Sequence, residues 1–107
     1  MFDSILETLT KHGKGSHAYR AAARLAYEKA RDCPDQAAAF FLIATYAEAF
    51  VERNERMPLL SNDSENSYNQ LKSNLDTLNA AYAAGDPAKI LAALNTISVS
   101  YAETMAD

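Results

Sequence analysis

Apolar residues recur every three to four positions along most of the chain, which is the spacing of one face of an α-helix. Glycine, proline and a short cluster of serine, asparagine and aspartate interrupt this pattern at four places. The intervals between the interruptions are long enough for helices and predict five of them. The predicted helices cover residues 3–12, 16–32, 34–56, 64–84 and 86–105.

Two of the predicted boundaries rest on specific turn chemistry. Gly85 suits the end of a helix, and Asp86 followed by Pro87 suits the cap and first turn of the next one. Pro34 likewise breaks the helix that precedes it and is tolerated at the start of the helix that follows. Both sites predict tight corners between long helices.

The helices predicted at 34–56 and 64–84 differ in their apolar patterns. Residues 37–44 are apolar on every face, which predicts a central position with neighbours on several sides. The later helix has a narrow apolar seam of the kind seen in bundles. This seam consists of Tyr68, Leu71, Leu75, Leu78 and Tyr82. Four long helices with short connections predict an all-α fold, an antiparallel four-helix bundle with a short additional N-terminal helix at 3–12.

Composition supports a single helical domain over residues 1–107. The chain has 107 residues, of which 49% are hydrophobic, and this is enough for one core but not for two. Its one cysteine, Cys33, has no second cysteine to pair with, so we expect a reducing, cytoplasmic environment. The first ten residues carry Asp3 and Glu7 instead of a basic segment, and no apolar stretch is long enough to predict a membrane span.

Charge is distributed unevenly along the chain. The net charge is −4, yet residues 11–31 contain six Lys or Arg against one Glu. Several of these cations fall on one face of the helix predicted at 16–32, and Lys14 directly precedes it. This face either binds an anionic partner or is a solvated surface balanced by Glu48, Glu52 and Glu55.

Aromatic residues add a second feature. Phe41 shares a helical face with Thr45, Glu48 and Glu52, so an exposed ring there is expected to mark a contact surface. Tyrosines 68, 82 and 101 lie on apolar stripes, and we expect them at the edge of the core with their hydroxyls in water. The combined candidates for partner or anion binding are Lys14, His17, Arg20, Arg24, Arg31 and Phe41.

The sequence contains no pattern that predicts catalysis. The segment 13–16 places glycines and a lysine before a helix, which suits an anion, but it lacks the Walker A spacing and is more simply a turn with a cap. His12, His17 and Cys33 are the only histidines and cysteine, and they have no metal-ligand spacing. We therefore predict no enzyme activity, no metal and no cofactor.

The leading hypothesis is a small acidic helical module that binds another protein by charge complementarity, as an adaptor, inhibitor or immunity-type protein. One alternative is a module for a small anionic ligand or nucleic acid that uses the basic segment 11–31, although net acidity argues against nucleic acid. A second alternative is a structural homo-oligomer subunit, for example a homodimer, with the third helix at the interface.

Overall fold

The computed structural model describes residues 1–56 and 61–106, with side chains for residues 1–54 and 65–104. These residues contain five α-helices, a short 3₁₀ turn and no strand. The helices are α1 (Asp3–Lys11), α2 (Ser16–Asp32), α3 (Ala37–Arg56), α4 (Ser61–Ala84) and α5 (Pro87–Ala106). The prediction of an all-α protein is confirmed. No helix in this part of the chain is long and apolar enough to cross a membrane.

The end of α1 illustrates why the predicted boundaries are close to the observed ones. Gly13 has a φ of 88°, a left-handed conformation that glycine adopts without steric cost. The Lys14 amide donates to the Leu9 carbonyl at 2.9 Å, and the Gly13 amide donates to the Thr10 carbonyl at 3.4 Å. This is the hydrogen-bond pattern of a Schellman C-cap, and it ends α1 as the glycine predicts.

Two predicted boundaries need correction. The helix predicted at 64–84 begins at Ser61, so the last three residues of the loop predicted at 57–63 are helical, while residues 57–60 lie outside the described chain. Serine, asparagine and aspartate favour the first turn of a helix as well as loops, so composition does not separate the two. The helix predicted at 34–56 begins with a separate 3₁₀ turn, Pro34–Gln36, before α3.

Helices α2 and α3 form the most extensive helix pair. Near the start of α2, the Tyr19 ring stacks on Phe50 near the end of α3, with centroids 3.7 Å apart. Further along α2, Tyr27 contacts Phe41 near the start of α3, with centroids 5.8 Å apart. These two contacts show that α2 and α3 run antiparallel.

Helices α4 and α5 also run antiparallel. The Gln70 amide near the start of α4 donates to the Ser100 hydroxyl near the end of α5 at 3.0 Å. Tyr46 of α3 connects to both helices. Its ring stacks on Tyr101 of α5, and its hydroxyl donates to the Ser67 carbonyl of α4 at 3.3 Å.

Helix α1 packs mainly against α2, and the residues at its start also contact α3 and α4. The ring of Phe2, which directly precedes α1, is fully buried and lies 4.7 Å from Phe40 and 5.5 Å from Tyr82. Asn79 accepts a hydrogen bond from the Phe2 amide and donates one to the Asp3 carboxylate, each at 3.0 Å. The start of the chain therefore contributes to the hydrophobic core.

The composition of residues 37–44 predicted neighbours on several sides. The structure instead leaves one side of this segment open. Phe40 and Ile43 are buried in the core, whereas Ala38 is exposed and Phe41 is 55% exposed. The neighbouring helices cover α3 on the faces that carry Phe40 and Ile43 and leave the Phe41 face open. A run of apolar residues therefore does not determine how many helices surround it.

The expectation of solvated tyrosine hydroxyls is wrong for Tyr101. Its side chain is 3% exposed, while Tyr68 and Tyr82 are half-buried. Neither the Tyr101 hydroxyl nor the Asn74 amide nitrogen makes a well-aligned hydrogen bond within the described residues. Burial raises the pKa of Tyr101, and the nearby Asn74 side chain partly opposes this rise.

Candidate functional site

An open groove of about 510 Å³ lies between α2 and α3. It is lined by Arg20, Ala23, Arg24, Tyr27, Glu48, Val51 and Glu52. The lining residues of each helix are spaced three or four apart and therefore share one helical face. Because the helices are adjacent and antiparallel, the cations of α2 stand along one side of the groove and the carboxylates of α3 along the other.

The charges in the groove balance. Arg20 and Arg24 contribute two positive charges, and Glu48 and Glu52 contribute two negative charges. This arrangement supports the interpretation that acidic residues of the third helix offset the basic face, although the side chain of Glu55 lies outside the described residues. Arg24 has no carboxylate within ion-pair distance among the side chains that the structure describes.

Tyr27 connects the groove to an exposed aromatic ring. Its hydroxyl lies near the Glu48 carboxylate, and its ring meets Phe41 edge-on, at an interplanar angle of 72°. Desolvation raises the pKa of Tyr27, and the neighbouring Glu48 carboxylate raises it further. We call the surface formed by Arg20, Arg24, Tyr27, Phe41, Glu48 and Glu52 the α2–α3 face.

Lys14 lies away from this face. Its ammonium nitrogen is 3.9 Å from the centroid of the Tyr68 ring on α4, a cation–π contact. Its backbone amide and that of Gly13 are already used in the C-cap of α1. The turn at 13–16 therefore keeps fewer free donors for an anion than its sequence indicates.

The other two predicted site residues of α2, His17 and Arg31, are also separate from the groove. The His17 ring lies edge-on to His12, with centroids 5.1 Å apart, near the start of α2. Arg31 is exposed in the last turn of α2 and does not line the groove. Of the six predicted site residues, the structure therefore brings together Arg20, Arg24 and Phe41.

Tyr27 and Glu48 were missed as site residues by the sequence analysis. Tyr27 follows Arg24 by three positions and so shares its face, which is a signal that could have found it. Its proximity to Glu48 depends on how two helices pair, and one helical pattern alone does not contain that information. No group of three or more His, Cys, Asp or Glu side chains converges as a metal site within the described residues.

No protein-family model, no curated protein and no solved structure matches this chain. Function is therefore inferred from the chemistry of the α2–α3 face. An exposed ring offers apolar contact, and the guanidinium group of Arg24 offers charge-assisted hydrogen bonds to a carboxylate. Such a face can bind a polypeptide segment that carries both kinds of group.

Proposed function

We propose that this protein is a small acidic helical protein-binding module and that a segment of its partner docks on the α2–α3 face. One observation carries the proposal: Phe41 is 55% exposed and packs edge-on against Tyr27, which lines the same groove as Arg24. Phenylalanine, tyrosine and arginine are enriched in protein interfaces, where they account for much of the binding energy.

The face favours a partner segment with an apolar side chain next to a carboxylate. The apolar side chain packs on Phe41 and Tyr27, and the carboxylate pairs with Arg24. Arg24 and Tyr27 are three residues apart on α2, a rise of about 5 Å, so the partner's two groups match a spacing of three or four residues on a helix. Glu48 and Glu52 disfavour a carboxylate on the α3 side, which gives the partner one orientation.

The proposed role is that of an adaptor, inhibitor or immunity-type protein without catalytic activity. We also propose that α2 to α5 form an antiparallel four-helix bundle with α1 as an additional helix, which the antiparallel contacts of α2 with α3 and of α4 with α5 support. A cytoplasmic location is part of the proposal, because the chain has a single cysteine, Cys33.

The alternative of an anionic ligand or nucleic acid has less support. Lys14 contacts the Tyr68 ring, and the carboxylates of Glu48 and Glu52 stand opposite Arg20 and Arg24. A net charge of −4 further weakens attraction to a polyanion. Self-association through the third helix would use the same Phe41 surface, so it is one of the outcomes that the experiment below distinguishes.

The experiment is capture from extract of the source cell at moderate salt, with mass spectrometry and nucleic-acid staining as readouts. The wild-type chain is compared with Phe41→Ala and Arg24→Glu, and Lys72→Glu on the exposed side of α4 is the matched charge control. We expect one protein that is captured by the wild type and by Lys72→Glu and is lost with both substitutions on the α2–α3 face. Direct titration with that purified protein should then show binding to the wild type and to Lys72→Glu and loss of binding with the two substitutions on the α2–α3 face.

The proposal is wrong if the same protein binds the wild type and all three variants equally. Recovery of nucleic acid, with loss on Arg24→Glu and no effect of Phe41→Ala, would favour the anion-binding alternative. Recovery of the tagged chain together with untagged copies of itself, sensitive to Phe41→Ala, would favour self-association through α3.

A further inference from the structure

Helix α5 has an exposed face without charge. Between Lys89 and Glu103 the sequence contains no charged residue. Leu91 and Val99 are 59% and 58% exposed, among the most exposed large apolar side chains. We call the exposed residues of this stretch the α5 face: Leu91, Ala92, Asn95, Thr96, Val99 and Ala102.

The exposed positions of the other long helices are different. Those of α2 include Arg20, Arg24 and Glu28, and those of α4 include Lys72 and Asp76. Solvated helix faces normally carry such charges, whereas the centre of a protein interface is depleted of them. The exposed apolar residues and the absence of charge therefore mark the α5 face as a contact surface.

We infer that the α5 face binds the same face of a second copy of this chain, with the two helices antiparallel. In this arrangement a two-fold axis passes between Asn95 and Thr96, and positions at equal distance on either side of it lie opposite each other. Ala92 of one copy then meets Val99 of the other. Lys89 lies opposite Ala102 and is offset by one residue, about 1.5 Å along the helix, from Glu103 of the second copy, close enough for an ion pair that the symmetry forms twice.

The lateral positions of these residues agree with the pairing. At 100° per residue, Lys89 and Glu103 lie on one side of the centre of the face, and Leu91 and Ala102 lie on the other. The charged residues therefore meet along one edge of the contact, and the apolar residues meet along the other. A parallel pairing would instead place Lys89 against Lys89 and Glu103 against Glu103, which is repulsive.

The size of the face indicates a reversible dimer. Residues 88–103 extend over about 23 Å of helix, and one helix face of this length buries less area than the roughly 1,000 Å² expected for a stable interface. Association in the micromolar range or weaker follows from this size. The dimer goes beyond the proposed function. It does not use the α2–α3 face, which belongs to different helices, so a partner can still dock there.

Sedimentation equilibrium of the full chain over a range of concentrations tests the inference. Lys89→Glu alone, or Glu103→Lys alone, places like charges together at both contacts, and each should raise the dimer dissociation constant by roughly tenfold or more. An equimolar mixture of the two variants restores opposite charges at both contacts and should dimerise again. Lys72→Glu on α4 is the matched control and should dimerise like the wild type.

A second variant, Val99→Asp, places a carboxylate at the centre of the contact and should also abolish the dimer. These positions are all exposed in the single chain, so circular dichroism should show unchanged helix content. A wild-type chain that stays monomeric up to about 1 mM would overturn the inference. So would a mixture of the charge variants that does not recover, or a dimer lost on Phe41→Ala and kept on Val99→Asp.

Discussion

The rings of Tyr46 and Tyr101 stack with their centroids 4.4 Å apart and their planes at 22°, and this contact joins α3 to α5. Their hydroxyls differ in hydrogen bonding. The Tyr46 hydroxyl donates to the Ser67 carbonyl, whereas the buried Tyr101 hydroxyl has no aligned partner within the described residues. Removing a ring and removing a hydroxyl should therefore have different effects at the two positions.

Tyr101→Ala should lower the free energy of unfolding by about 3–5 kcal/mol, because it removes a buried aromatic ring and leaves a cavity. Tyr101→Phe should be neutral or slightly stabilising, because the hydroxyl it removes is buried without a partner. Tyr46→Phe is the control and should lose about 1 kcal/mol with its hydrogen bond. Urea unfolding measures all three. A loss of stability for Tyr101→Phe equal to that of Tyr101→Ala would contradict this account.

The buried tyrosines also predict how the protein responds to alkali. Burial raises the pKa of Tyr19 above its ordinary value, with further rises from neighbouring tyrosines, and burial also raises the pKa of Tyr101. A folded-state pKa above the unfolded value of about 10 means that folding favours the neutral hydroxyl. Stability from these two groups is fully present below about pH 10 and falls as the pH rises further.

Tyrosinate absorbance and circular dichroism, followed together in an alkaline titration, check this prediction. Tyr19 and Tyr101 should ionise only as helical signal is lost, and Tyr101→Phe should reduce the absorbance change of that late phase. Ionisation of all six tyrosines near pH 10 in a chain that remains helical would argue against it.

Substitution of Gly85 should destabilise the protein, although there is space around it for a Cβ. Its φ is 69°, and a Cβ built there meets no atom within 4 Å, so the penalty of Gly85→Ala comes from the backbone alone. We expect a loss of about 1 kcal/mol in the free energy of unfolding. Gly15→Ala is the control for φ, because Gly15 has equal space and a φ of −96°, and its effect should be smaller and come only from its place as the N-cap of α2. Thermal unfolding of both variants compares them, and equal shifts would show that φ is not the cause.

Asn79 should control the attachment of α1. Asn79→Ala removes the acceptor of the Phe2 amide and the donor to Asp3, and we expect a loss of about 1–2 kcal/mol. Hydrogen exchange should show that this substitution accelerates exchange in α1 more than in α3. Asn66→Ala, at an exposed position of the same helix, is the control. Uniformly faster exchange along the chain would instead indicate global destabilisation without a specific role in holding α1.

Helix positions were predictable because apolar spacing and turn residues are local properties. Gly85 and Pro87 determine the corner before α5, and the bounds of α2 agree with the prediction. Helix pairing is not local. The hydrogen bonds of Asn79 join residues far apart in the chain, and no periodic pattern indicates them.

The candidate site was predictable in part for the same reason. Phe41 was expected on a face shared with carboxylates, and its exposure agrees with that expectation. Arg20 and Arg24 share a face of α2 by helical spacing alone. Lys14 is near them in sequence, but the left-handed backbone at its own position, with a φ of 62°, belongs to a turn that brings it against Tyr68.

The contact of Phe2 with Tyr82 has a consequence for synthesis of the protein. Phe2 is added to the growing chain 80 residues before Tyr82, and at 5–20 residues per second this interval is roughly 4–16 s. During that time α1 has an apolar face but lacks its neighbours on α4. Helices α2 and α3, which are contiguous in the chain, can pair earlier. Helix α1 also packs on α2, its immediate neighbour in the chain, so the late step is the closure of α4 over Phe2, and nascent chains arrested before residue 79 should expose more of Phe2 to proteases than the full chain does.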